Sequence, residues 1–250
     1  MLIQGLPSVD LLTSSVLAAA PAVVTLHRHH LRTKRRLCEL EQTRSILVDA
    51  NARLTHAVSH DFLTGVLNRQ GLLDHLESTL ADEDRITKVA VMFLDIDRFK
   101  GVNDSLGHAA GDELLQTIAA RLQDLLFDGC RVGRLGGDEF VIVVRDASHL
   151  DAVVDLATSI AHRLDEPIEV NGRPLRISTS IGVAVGPEGD DSARDMISFA
   201  NAALHRAKHA GRNRIEVFTP LIRTEMHMRA TEEDSLRRSI EAGDVVPFFQ

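Results

Sequence analysis

In "GRLGGDEFVIVV" (residues 133–144), Gly136 and Gly137 run into Asp138 and Glu139, and these acids run into an apolar strand. A carboxylate at the mouth of a buried strand is costly to desolvate unless something positive meets it. A second acidic strand end lies upstream. In "VMFLDIDRFKGVND" (residues 91–104), Asp95 and Asp97 stand two apart, on one face, with the Ile96 carbonyl between them. If both strands share a sheet, Asp95 and Asp138 converge at adjacent strand ends. Two carboxylates and a carbonyl make a hard-oxygen site suited to Mg²⁺, which keeps waters and accepts phosphate oxygens. The two glycines would let a ligand approach the backbone. The segment fails as a calcium loop: Phe99 and Lys100 replace the polar residue and the glycine, and Leu106 stands at the terminal glutamate position.

Phosphate chemistry also needs cations. "RAKHAGRNR" (residues 206–214) offers Lys208 and Arg212, four apart and expected on one face of a helix end. Lys100, Asn103 and Asp104 are expected in the turn after the first acidic strand. Each cation alone reads as a surface residue. As a set they suit a triphosphate.

The elements that must carry these groups follow from pattern. Residues 88–96 read as a buried strand, 111–127 as an amphipathic helix, and 130–144 as a hairpin with a Gly-Gly turn. Helices are expected over 151–164 and 192–210, and strands over 174–185 and 214–218. Leu72, Leu73, Leu76 and Leu80 form an earlier helical stripe. The order β-α-β-β-α-β-α-β predicts an α+β fold. It is ferredoxin-like, a central antiparallel sheet flanked by helices, preceded by a long N-terminal helix.

Composition narrows the partners. The 250 residues, 44% hydrophobic, suffice for one domain with a sizeable core and appendages. A net charge of -8, with no Trp or Tyr, argues against a nucleic-acid surface. Cys38 and Cys130 form no CxxC, which argues against a disulfide framework or zinc and suits a reducing cytosol.

Residues 1–26 are apolar with one acid, Asp10, and a basic flank follows with Arg28, Arg32, Lys34, Arg35 and Arg36. Two readings stay open. One is a membrane anchor that leaves the rest cytoplasmic, at the inner face of the plasma membrane. The other is a soluble packing helix. From 37 to 58, Leu40, Leu47 and Leu54 recur at heptad spacing, with Arg44 and Asn51 on the second seam position. This pattern predicts a dimerising coiled coil. Residues 27–60 thus read as basic flank and signalling helix, 61–218 as the main domain, and 219–250 as a linker and the start of another domain.

Five stretches, "DFLTGVLNR", "LDIDRFKGVNDSLGHAAGDELL", "RLGGDEF", "STSIGVA" and "AKHAGRNR", resemble in order the GGDEF family of diguanylate cyclases. The resemblance covers residues 61–218 and implies a nucleotide-cyclase-like sheet. It implies Mg²⁺ or Mn²⁺ on Asp95, the Ile96 carbonyl and Asp138, and GTP as substrate. By the same resemblance Asn103 and Asp112 meet the guanine edge, and Phe99 and Lys100 line the phosphate loop beside Gly137. Lys208 and Arg212 fall on the terminal phosphates, and Asp138, Glu139 and Lys100 form the catalytic set. Asp112 also suits a helix N-terminus. The implied product is cyclic di-GMP, made by a homodimer. The tail resembles the leading edge of an EAL phosphodiesterase domain, although no Glu-Ala-Leu motif is present.

The chain departs from the family in places. Phe127 and Cys130 stand where the product-inhibition site has Arg and Asp, so no feedback is expected there. Asn201 and His205 stand where Asp and Tyr are common, and Gly101 directly follows Lys100. An alternative reading is a catalytically silent GTP-binding module that regulates a downstream EAL domain.

Overall fold

The computed structural model describes residues 34, 42–44, 58–81, 88–186 and 191–241. The chain falls into two units, Met1–Thr55 and His56–Gln250. In the first, only 34 and 42–44 are described, all helical. The expected anchor over 1–26, most of the heptad segment and the last nine residues lie outside the described residues.

The second unit is built on β1 (Val89–Ile96), whose eight residues are all buried. A strand covered on both faces reads as an unbroken apolar run, as this one does. It pairs antiparallel with β3 (Glu139–Val144) on one side and β6 (Thr179–Gly186) on the other. β2 (Cys130–Gly136) and β7 (Ile215–Val217) complete the sheet in the order β2-β3-β1-β6-β7, with β7 parallel to β6. This is the expected α+β architecture.

Alternation along β1 divides the core. Ala90, Met92, Leu94 and Ile96 pack with Leu114, Ile118 and Leu122 of α3 (His108–Leu125) and Val153, Ile160 and Leu164 of α4 (Leu150–Asp165). Val89, Val91 and Phe93 face the other way, onto Leu72 and Leu76 of α1 (Arg69–Leu80) and Met196, Ala200 and Leu204 of α5 (Ala193–His209). α5 lies hard against β6, because a Cβ at Gly182 would collide with backbone at Ala200 and Leu204. Its start is fixed by a capping box in which Ser192 and Asp195 exchange side-chain and backbone hydrogen bonds.

Two sequence expectations change. The segment after β1 is not a turn: Lys100, Asn103 and Asp104 lie on a helix, α2 (Phe99–Leu106), reached through Arg98 at φ 60. Gly101 lies within that helix. The strand expected over 174–185 is two, since β5 (Arg173–Leu175) ends in a separate hairpin with β4 (Ile168–Val170) before β6 begins. Asn171 and Gly172, both at positive φ, make that hairpin's turn, and "NG" was the available signal. The tail forms α6 (Pro220–Glu241). Arg223 of α6 stacks over Phe199 and Phe218, themselves stacked at 4.5 Å, and thus docks α6 on α5. No helix among the described residues is long and apolar enough to cross a membrane.

Candidate active site

The pairing of β1 with β3 sets Asp95 directly across from Glu139. The hairpin from β2 to β3 turns at Gly137 and Asp138, so Asp138 stands at the same sheet end. Gly136 and Gly137 take φ 146 and 53, and a Cβ on either would meet open space. The turn therefore offers bare backbone on its open side.

Asp95 is 6% exposed. Burial pushes its carboxyl above the usual aspartate range. Lys208 opposes that shift through a hydrogen bond, and the nearby charges of Asp138 and Asp97 add to it. Lys208 Nζ stands 2.6 Å from Asp95 Oδ2.

Asp97 behaves differently. Its Oδ1 accepts from Ser180 Oγ at 2.7 Å; its Oδ2 accepts from Ser178 Oγ at 2.7 Å and the Asn213 N–H at 3.1 Å. Both carboxylate oxygens are engaged by protein, so Asp97 braces β6 and the loop before β7. This fastens the loop that carries Arg212. Sequence spacing put Asp95 and Asp97 together but could not show that their roles diverge.

Several expected residues fall elsewhere. Lys208 and Arg212 do not share a helix face, because α5 ends at His209 and Arg212 takes φ 63 in the following loop. Arg212 instead borders a cleft of about 570 Å³ with Asp97, Arg98 and Asn213. The Phe99 side chain is packed in the core, leaving only its backbone for a phosphate loop. Lys100 is exposed on α2. Asn103 nestles against Gly111, where any Cβ would overlap its amide oxygen. Asp112 is exposed on α3 but lies past its first turn, since that helix starts at His108 rather than Gly111. The helix-terminus reading of Asp112 therefore falls away. Phe127 is 59% exposed and Cys130 3%, beside a cleft shared with His60, His75 and Arg131.

One pair of residues escaped the sequence reading. Arg134 Nε and Nη2 donate to the Gly137 carbonyl at 2.9 and 2.8 Å. Its Nη1 donates to Asp61 Oδ1 at 2.9 Å. The Thr64 N–H and hydroxyl donate to the same Asp61 oxygen. The "DFLT" stretch is thus a strut that holds the Gly-Gly turn. The only sequence signal was its recurrence with the other four motifs.

Asp95, Asp138 and the Ile96 carbonyl are hard-oxygen donors at one sheet end, with a desolvated carboxylate beside a second negative charge. That donor chemistry fits a magnesium-sized ion that completes its shell with water and phosphate. Among the described residues no group of three or more His, Cys, Asp or Glu is placed to hold a metal ion.

The family model for the diguanylate cyclase GGDEF domain matches residues 58–214. The diguanylate cyclase TpbB of Pseudomonas aeruginosa is 39% identical over 179 residues, covering 70% of this chain and 41% of TpbB. The cyclic di-GMP phosphodiesterase NbdA of the same organism is 33% identical over 224 residues, covering 87% of this chain and 28% of NbdA. The chain therefore spans less than half the length of either. Among solved structures, the coiled coil and GGDEF domain of DgcB from Caulobacter crescentus, in complex with c-di-GMP, matches with TM-score 0.67 and 26% identity, covering 74% of this chain and 98% of that one. By fold, by the acids at its strand ends and by the match over residues 58–214, the chain belongs to the GGDEF-domain family of diguanylate cyclases.

Proposed function

We propose that the protein condenses two GTP molecules into cyclic di-GMP and two pyrophosphates. The observation that carries this is the meeting of Asp95, Glu139 and Lys208 at one sheet end, beside the open backbone of the Gly-Gly turn. In this reading Asp95, Asp138 and the Ile96 carbonyl hold Mg²⁺ or Mn²⁺. The ion's contribution when bound is neutralisation of phosphate charge. Asn103 and Asp112 hold guanine, a carboxylate being able to accept from its N1–H and N2 amine. Lys208, Arg212, Lys100 and the backbone at Phe99 and Gly137 hold the triphosphate. The 3′-hydroxyl oxygen of one GTP bonds to the α-phosphorus of the other, and the bond from that phosphorus to the bridging oxygen breaks. Pyrophosphate leaves with that electron pair, and in this reading Glu139, across from Asp95 in the strand register, takes the hydroxyl proton.

The product is two-fold symmetric, so two half-sites must face each other in a homodimer. The heptads over residues 37–58 would bring them together, and the coiled coil named in the DgcB structure supports that reading. The test is to incubate purified protein with GTP and Mg²⁺, following pyrophosphate and cyclic di-GMP, with Asp138→Ala alongside. Product from the wild type and none from the variant supports the cyclase. GTP binding without product at any protein concentration supports a second reading, a silent module regulating a downstream phosphodiesterase. The long match to NbdA, a cyclic di-GMP phosphodiesterase, favours keeping that reading.

A further inference from the structure

Lys208 stands where the site needs a cation. The charges of Asp97 and Asp138 both act on Asp95 at this end of the sheet. Asp97 has both oxygens engaged by Ser178, Ser180 and the Asn213 backbone. Lys208 answers Asp95, at 2.6 Å, and its side chain is 30% exposed. An ammonium bonded to Asp95 Oδ2 competes with a divalent ion for that oxygen, since like charges a few ångströms apart repel in a partly dry site.

The surroundings decide how it leaves. α5 cannot withdraw, because Gly182 lies against its backbone at Ala200 and Leu204. Lys208 belongs to the last turn of α5, and its stem of four carbons can swing while the helix stays. Arg212, in the loop that follows α5, borders the cleft with Asp97 and Asn213, so a second cation lies just beyond the end of that helix.

We propose that Lys208 is an exchangeable internal cation. It neutralises Asp95 in the nucleotide-free protein, and the metal that arrives with the triphosphate displaces it onto the phosphates. Asp95 is therefore never left unpaired in a buried place. The inference rests on the reading of Asp95 as a metal ligand and goes beyond it in assigning an order of events.

The test uses Mn²⁺ alone, titrated into the nucleotide-free full chain and followed by electron paramagnetic resonance. Wild type should bind weakly. Lys208→Met should bind roughly tenfold more tightly, the effect of removing one charge-assisted competitor. Asp95→Asn combined with Lys208→Met should lose that gain. A thermal melt of each variant checks folding. A second arm needs no variant: reductive methylation of Lys208, read by mass spectrometry, should speed up as Mn²⁺ approaches saturation. Equal Mn²⁺ affinity in wild type and folded Lys208→Met, or methylation unmoved by Mn²⁺, overturns the exchange. Neither arm reads product. A protein that passes both yet makes no cyclic di-GMP keeps the exchange and loses the cyclase reading.

Discussion

Arg134 binds Asp61 at 2.9 Å across a separation of 73 residues, and with its other nitrogens it grips the carbonyl of Gly137. One guanidinium therefore ties the strut before α1 to the turn that carries Asp138. Both side chains are largely buried, at 10% and 15% exposed, so breaking the pair strands a charge. Arg134→Ala should cost on the order of 2 kcal/mol of stability, below the range for fully buried pairs. It should also lower cyclase turnover by at least about tenfold, because the turn loses its fixed geometry. Arg134→Lys should rescue little, since a lysine cannot reach both acceptors in fork geometry. Denaturant unfolding and turnover, measured on the same preparations, check this. Turnover left at the wild-type level would remove the strut from the mechanism.

The same pair gives a pH dependence. Burial alone would push the Asp61 carboxyl up, but the hydrogen bonds from Thr64 and Arg134 outweigh it and hold it below the usual aspartate range. The unfolded chain then takes up the proton first as pH falls. Stability from Asp61 is complete above the ordinary aspartate value near 3.8 and is lost as pH drops toward the lower folded value. Thermal melts from pH 7 down to the acid limit should show wild type losing ground on Asp61→Asn, with the gap closing below pH 4 or so. A gap that is constant with pH would mean the carboxylate charge is not what the strut uses.

Asp95 carries the opposite sign. Its folded value is raised, mainly by burial, so the folded state holds its proton more tightly than the unfolded chain. The associated stability is present below the ordinary aspartate value and is lost as pH rises through the folded one. At neutral pH the ionised carboxylate weighs against folding, in exchange for a place to seat a metal. Asp95→Asn should therefore melt at or above the wild-type temperature at pH 7. It should lose cyclase activity by about a thousandfold, the scale of several kcal/mol of charge stabilisation. A lower melting temperature would show that the Lys208 bond outweighs the burial cost.

How much of this was legible beforehand follows from the range of each interaction. β1 and the hairpin were readable because an unbroken apolar run and a Gly-Gly turn are local signals; Asp138 was expected beside Asp95, and the register sets the next residue, Glu139, directly across from it. α2 was not, because Gly101, Asn103 and Asp104 are turn formers in isolation; packing of Phe99 and Val102 on the core overrides them. α5 ends at His209, one residue short of the expected end, and Arg212 follows in the loop at φ 63; α3 starts three residues early, which takes Asp112 out of the first turn. Arg134 with Asp61, and Asp97 with Ser178, Ser180 and Asn213, join positions far apart in the chain, which no local pattern reports.

Gly111 offers a way to separate binding from folding. A Cβ there would overlap the Asn103 amide oxygen and press on the rim of the Phe99 ring. The amide end can swing aside, while the α3 backbone has no reason to move. Gly111→Ala should leave the fold intact and displace Asn103 from the guanine edge. The expected result is a KM for GTP raised roughly tenfold, the worth of one lost hydrogen bond to a base, with kcat little changed. Discrimination between GTP and ATP should narrow in parallel. An unchanged KM would take Asn103 out of the recognition set.

Product feedback should be absent at the surface where the family has it. That surface calls for an arginine and an aspartate, and here the positions hold Phe127, largely exposed, and Cys130, buried with its thiol pushed up by burial. Neither can pair with a phosphate or a guanine edge. Arg131 is close, but it directs Nη1 to the Cys130 carbonyl at 2.7 Å and has no acid partner at the family's spacing. The neighbouring cleft, about 370 Å³ and lined by His60, His75 and Arg131, is too differently furnished to restore the missing pair. Turnover followed with rising cyclic di-GMP should stay flat through the low micromolar range. Phe127→Arg combined with Cys130→Asp should introduce inhibition there. Inhibition of the wild type, abolished by Arg131→Ala, would show that one arginine in a different position is sufficient.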